Sequence, residues 1–191
     1  MSGNKSSSDE EKRNILERKR SRMKEIFLEL TNFLTSPDVN KDEAYKCIGE
    51  FIVKFSNLET LLKFLLDFEA QIQSPLKNQI THLLDISIVI RLLKELYSKK
   101  FEKGSDLQRK FMGALNECHR VNEWRVRVAH GMWILEGDQQ ARTTHFSRQS
   151  LEGIEYFGEI KEIRLQTAMV EKAYKNLLDA VLELIDSIYK S

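Results

Sequence analysis

The sequence predicts an all-α protein: an antiparallel four- or five-helix bundle with a small β-hairpin or meander before the last helix. Three observations carry this expectation. Apolar residues recur at three- and four-residue spacing through most of the chain. Helix-starting side chains stand ahead of those runs: Asn40 with Glu43, Ser74 with Pro75, and Ser105 with Gln108. Between about 132 and 163 the helical period gives way to short β-prone runs separated by glycine.

Taken in order, residues 1–8 are Ser-rich and expected to be disordered. Residues 9–36 form a charged N-terminal helix or arm, with Ile15, Met23, Ile26, Phe27 and Leu30 at helical spacing. Its first half has few apolar residues, which suits an arm that projects or clasps another subunit. The bundle itself is expected over 40–191. Its first helix opens at the capping phrase Asn40 to Glu43 and runs to about 73, with Ile48, Ile52, Phe55, Leu58, Leu62, Leu65 and Leu66 as the apolar face. Ser74-Pro75 supplies an N-cap and a proline at the first helical position of a helix over about 75–101. That helix uses Leu83, Leu84, Ile86, Ile90, Leu93 and Leu96. Ser105 then opens a helix whose core side is Leu107, Phe111, Leu115, Cys118 and Val121. Strands are expected at 132–135, 141–147 and 154–158, and a last helix at about 167–189.

Composition narrows the class. A chain of 191 residues can bury a sizeable core. With 41% hydrophobic and 31% charged residues it has the balance of a soluble globular protein. Its apolar runs are too short and too interrupted to span a bilayer, and residues 1–10 lack the apolar stretch of a secretory signal. A cytoplasmic location without membrane contact is the expectation. Cys47 and Cys118 stand alone at apolar helical positions, as reduced buried thiols do. No HExxH, CxxC or acidic cluster points to a metal, no glycine-rich loop to a nucleotide cofactor, and no GxSxG to a serine hydrolase. The formal net charge of +1 gives no overall pull toward nucleic acid. Residues 91–110 nevertheless gather Arg91, Lys94, Lys99, Lys100, Lys103, Arg109 and Lys110 against Glu95, Glu102 and Asp106. They form either a phosphate-binding face or solvated helix surface.

Residues 123–133 carry the most chemistry. Arg125 is followed by His130 and Gly131 at the end of a helical segment. Arginine stays charged and grips phosphate oxygens through a bidentate fork, and histidine exchanges a proton near neutral pH. The pair suits phosphodiester cleavage, and it also suits simply holding a phosphate. On an ideal helix the two side chains are about 140° apart. They meet on one phosphate only if the helix loosens near Gly131 or if two chains share the site. Asn122, Arg125 and Ala129 line up on one face, and Glu123, Arg127 and His130 on the next. Each residue also has a plain structural reading. Arg125 can pair with Glu59, Arg127 with Glu123, and His130 can cap the last carbonyls of its helix. Trp124 and Trp133 suit core anchoring better than base stacking.

The segment resembles the R-x4-6-H signature of the HEPN superfamily of small helical bundles. Its bacterial members read roughly R-N-x-x-A-H-G-x-W, and Arg125, Ala129, His130, Gly131 and Trp133 match. An F-x-x-L-E phrase in the preceding helix, Phe55 to Glu59, extends the likeness, which covers about 42–190. Val126 departs from it, standing where the family usually has a polar residue. The resemblance implies a homodimer with facing motifs and a metal-independent endoribonuclease, a toxin or antiphage effector. Arg125 and His130 would be catalytic, with Asn122, Arg127 and Glu59 binding phosphate or supporting them. It also leaves open an inactive module that binds RNA or a protein partner, such as an antitoxin or another member of a defence complex.

Overall fold

A computed structural model describes residues 41–70, 81, 83–136, 140–146 and 153–189, together with scattered positions between 14 and 28. Among the described residues the architecture is mostly helical, with four helices of defined bounds and a three-stranded antiparallel sheet before the last of them. Helix α1 is Asp42–Ala70, α2 is Ile86–Lys100, α3 is Asp106–His130 and α4 is Ile160–Tyr189. The strands are β1 Met132–Glu136, β2 Gln140–Phe146 and β3 Gly153–Tyr156, paired in the order β1-β2-β3. Most of the expected N-terminal arm over 9–36, the predicted caps at Asn40 and Ser74-Pro75, and the turn at 137–139 lie outside the described residues.

Helix directions follow from charged contacts. Glu43 pairs with Arg164 and, further along both helices, Lys54 pairs with Glu171, so α1 and α4 run the same way. Asn176 donates to Glu117 at 2.6 Å while Lys110 reaches Glu183, so α3 opposes α4. Tyr97 packs on Phe111, and Asp85 lies in the field of Arg125, so α3 also opposes α2. The antiparallel arrangement expected from sequence therefore holds around α3 but not between α1 and α4. Asp85 lies in the field of Lys63 while Lys100 binds Glu69, so α2 runs the same way as α1.

One core joins all four helices. Phe51, Leu58 and Leu62 of α1, Val89 and Leu93 of α2, Phe111 and Leu115 of α3, and Ile163 and Leu177 of α4 are fully buried in it. Both cysteines are buried and unpaired.

Two helix starts differ from expectation. The helix expected over about 75–101 is broken at Asp85: Thr81 and Leu83 are helical, Asp85 is extended, and α2 starts at Ile86, capped by the Asp85 carboxylate, which accepts from the Ser87 N–H at 2.8 Å. Leu83, expected in the apolar face, precedes this cap and is 87% exposed. Helix α4 begins at Ile160 instead of about 167, because Ile160 and Ile163 fill the core with helical spacing. At α3 the predicted cap holds. Ser105 Oγ accepts from the Gln108 N–H at 3.3 Å, while the Gln108 side chain reaches back to the Gly104 N–H at 2.7 Å.

Candidate functional site

The site is built on the C-terminal half of α3. Arg125 is half-buried and its guanidinium carbon lies 5.9 Å from the centre of the Phe55 ring on α1. The two phrases that carry the family likeness therefore meet in space. The pairing of Arg125 with Glu59 does not form: Glu59 binds Lys63 instead, at 2.7 Å, one helical turn away. Among the described residues Arg125 has no carboxylate within 4.0 Å. Its charge acts on Asp85, whose carboxyl is held below its usual range. The causes are first the hydrogen bonds from Ser87, then the charges of Arg125 and Lys63.

Asn122 sits one turn before Arg125, on the same side of α3. It is only 7% exposed, and its Oδ1 has no hydrogen-bond partner among the described residues. An unmatched buried carbonyl costs about 1–3 kcal/mol, and such atoms mark positions that serve something beyond packing.

His130 is the last residue of α3 and is exposed. Gly131 follows as the cap, its N–H donating to the Arg127 carbonyl at 3.0 Å. The cap has φ −78° and ψ 150°, an ordinary extended conformation, so a left-handed turn does not explain the glycine. Space does. A Cβ at 131 would collide with Thr143 Oγ1 of β2, and would sit 2.6 Å from the Arg127 carbonyl oxygen. The glycine lets β2 cross directly over the helix end, which fixes where His130 emerges. Val126, half-buried, lies one turn before His130.

Arg127 does not pair with Glu123. Its guanidinium is held between two rings, 4.4 Å from Trp124 and 4.3 Å from Tyr156 of β3. Phe157 continues the cluster, stacked on Trp133 at 5.5 Å and tilted against Trp124 at 5.3 Å. Phe157 has φ 62°, a conformation that costs a bulky residue about 1–3 kcal/mol and persists only where packing enforces it. Trp133 Nε1 donates to the Val128 carbonyl at 2.9 Å. Both tryptophans thus anchor the sheet to α3, as their structural reading expected. Sequence reasoning missed Tyr156 and Phe157, whose one signal is the aromatic pair Tyr156-Phe157 before Gly158.

Of the remaining histidines, His119 is exposed beside Arg91 and Lys94, His145 lies on β2 opposite Ile154, and His82 is outside the described residues. Among the described residues no group of three or more His, Cys, Asp or Glu is arranged to hold a metal. No described helix is long and apolar enough to cross a membrane.

Compared with protein-family models, curated proteins and solved structures, this chain matches none.

Proposed function

We propose that the chain is a HEPN-like, RNA-acting protein: a metal-independent endoribonuclease, a toxin or antiphage effector, working as a homodimer. The observation that carries this reading is the state of Arg125. Its guanidinium is half-buried against Phe55 without an ion-pair partner among the described residues, while the nearby carboxylate of Glu59 is taken by Lys63. A structural arginine is normally neutralised when it is drawn toward the interior, whereas an unpaired one keeps its fork for a phosphate.

In this reading His130 accepts the proton from an RNA 2′-hydroxyl, whose oxygen attacks the adjacent phosphorus. The 5′-oxygen leaves and takes up a proton, giving a 2′,3′-cyclic phosphate. Arg125 stabilises the phosphorane, and Asn122 orients the phosphate or the arginine. Arg127 supports the site through its aromatic clamp. An angle of about 140° between Arg125 and His130 on one helix asks for the second subunit, whose facing motif completes the pair.

The test is cleavage of single-stranded RNA in excess chelator, with product ends identified. Wild type should cut, His130→Ala and Arg125→Ala should not, and all three should show the same helical circular dichroism. Light scattering should give a dimer. Dependence on added magnesium, or undiminished cleavage by both variants, would overturn the assignment.

A second reading, a binding module without catalysis, is favoured by Val126, which offers no hydrogen bond beside Arg125. An inert wild type converted to a nuclease by Val126→Asn would establish it.

A further inference from the structure

The seam between α2 and α3 contains a groove of about 430 Å³, open to solvent and lined by Ser87, Ile88, Ile90, Arg91, Lys94 and His119. Ile90 is buried and closes the floor. Its fixed charges are the Arg91 guanidinium and the Lys94 ammonium, while the Ser87 hydroxyl donates to the Asp85 carboxylate. Among the described residues neither Arg91 nor Lys94 has a carboxylate within 4.0 Å, although Glu95 and Glu123 stand one turn from Arg91 and His119 on their own helices. Three of the seven other lysines and arginines on these helices are instead ion-paired: Lys100 binds Glu69, Arg109 binds Asp106 and Lys110 binds Glu183. Lys94 is moreover half-buried, close enough to the buried Cys118 thiol to act on it electrostatically. An ammonium drawn partly out of water without a counter-charge is a vacancy for an anion.

The groove also has a direction. Because α2 and α3 are antiparallel, moving along the seam from Lys94 toward Ser87 leads to Asp85 and Arg125. His119 precedes Arg125 by about 9 Å along the axis of α3, and His130 by about 16 Å. That span exceeds one phosphate and fits several consecutive ones.

We propose that this groove is a phosphodiester-backbone site, in which Arg91 and Lys94 bind successive phosphates of a single-stranded RNA and guide it along α3 toward Arg125. The proposal rests on the RNA-acting reading above for the identity of the strand. Its contacts go to phosphates, so they position the strand without selecting its sequence.

The test uses the full chain carrying His130→Ala, so that RNA binding is measured apart from cleavage. A fluorescent single-stranded RNA is titrated by anisotropy over a range of salt concentrations. Adding Arg91→Ala or Lys94→Ala should weaken binding to unrelated RNA sequences alike, and each should flatten the plot of log affinity against log salt by about 0.7. The double variant should flatten it by about 1.4. Lys172→Ala, on the α4 side of α3, should leave the slope unchanged. An unchanged slope in the double variant, or absence of RNA binding by the parent, overturns the proposal. So does pyrophosphate binding that the double variant loses while RNA binding stays, which would mark a small-anion site. Cleavage by wild type is scored separately. A nuclease whose RNA affinity ignores Arg91 and Lys94 refutes the groove alone, and a non-cutting protein that loses RNA in the double variant refutes only the chemistry.

Discussion

The two ends of α3 are held by different physics. At its start, Phe111 packs 4.1 Å from Tyr97 and 5.5 Å from Phe101, ring centre to ring centre. The polar edge of this stack is closed: Tyr97 donates to Glu69 at 3.2 Å, and Lys100 binds the same carboxylate at 2.7 Å. Burial and the Glu69 charge push the Tyr97 hydroxyl above its ordinary range, so it stays a donor. At its end, α3 is gripped by a cation between two rings, a glycine beneath a strand and an aromatic residue at positive φ. Polar matching is incomplete there, with Asn122 Oδ1 and Thr143 Oγ1 both buried and unpartnered among the described residues. One end is finished as structure. The other keeps free hydrogen-bonding capacity, and it holds the arginine and histidine that the family likeness singles out.

The sharpest way to break the comparison is to empty the finished end. Phe111→Ala removes a fully buried ring from a stack that has no slack. It should lower unfolding free energy by about 3–5 kcal/mol, measured by denaturant titration. The same experiment at the other end should cost less and act more locally. Gly131→Ala forces a methyl group into Thr143 and the Arg127 carbonyl. A loss of about 1–3 kcal/mol is expected for such overpacking. Protection from amide exchange should fall across β1 and β2 while α1 keeps its own. Uniform loss of protection throughout the chain would mean that the two ends are not separable.

Much of this was legible in the sequence, for identifiable reasons. Ser105, Gln108 and the run Leu107, Phe111, Leu115 encode the start of α3 within a few neighbouring residues, and local signals of that kind survive folding. Strand positions followed from short β-prone runs separated by glycine. The failures were contacts in which one available partner displaced another, near or far along the chain. An i, i+4 carboxylate made Arg127 look like half of an ion pair, yet two flanking aromatics displaced Glu123. Glu59 was likewise captured by Lys63. The phrase Asp85-Ile86-Ser87, which the sequence reading passed over, starts a helix inside the span expected to be continuous over about 75–101.

Asp85 offers the smallest effect and the finest probe, because it belongs to both kinds of physics. Its carboxylate caps α2, a structural task, and it lies in the field of Arg125, a site task. Asp85→Ala removes both, and Asp85→Ser keeps the cap while removing the charge. Loss of an N-cap costs about 1 kcal/mol, so Asp85→Ala should be less stable than wild type by that order, and Asp85→Ser should recover most of it. The folded carboxyl titrates below its unfolded value, so its contribution is fully present above about pH 4 and is lost as pH falls through the lower folded value. The gap between wild type and Asp85→Ala should therefore hold at pH 7 and close in acid, as read by thermal melts across pH. Removing a carboxylate that lies in the field of Arg125 should also strengthen phosphate binding there. If RNA affinity rises in Asp85→Ser while stability is kept, the C-terminal end of α3 is an anion site restrained by its own cap. If affinity is unchanged and only the melt moves, Asp85 is structural and Arg125 is not meeting phosphate.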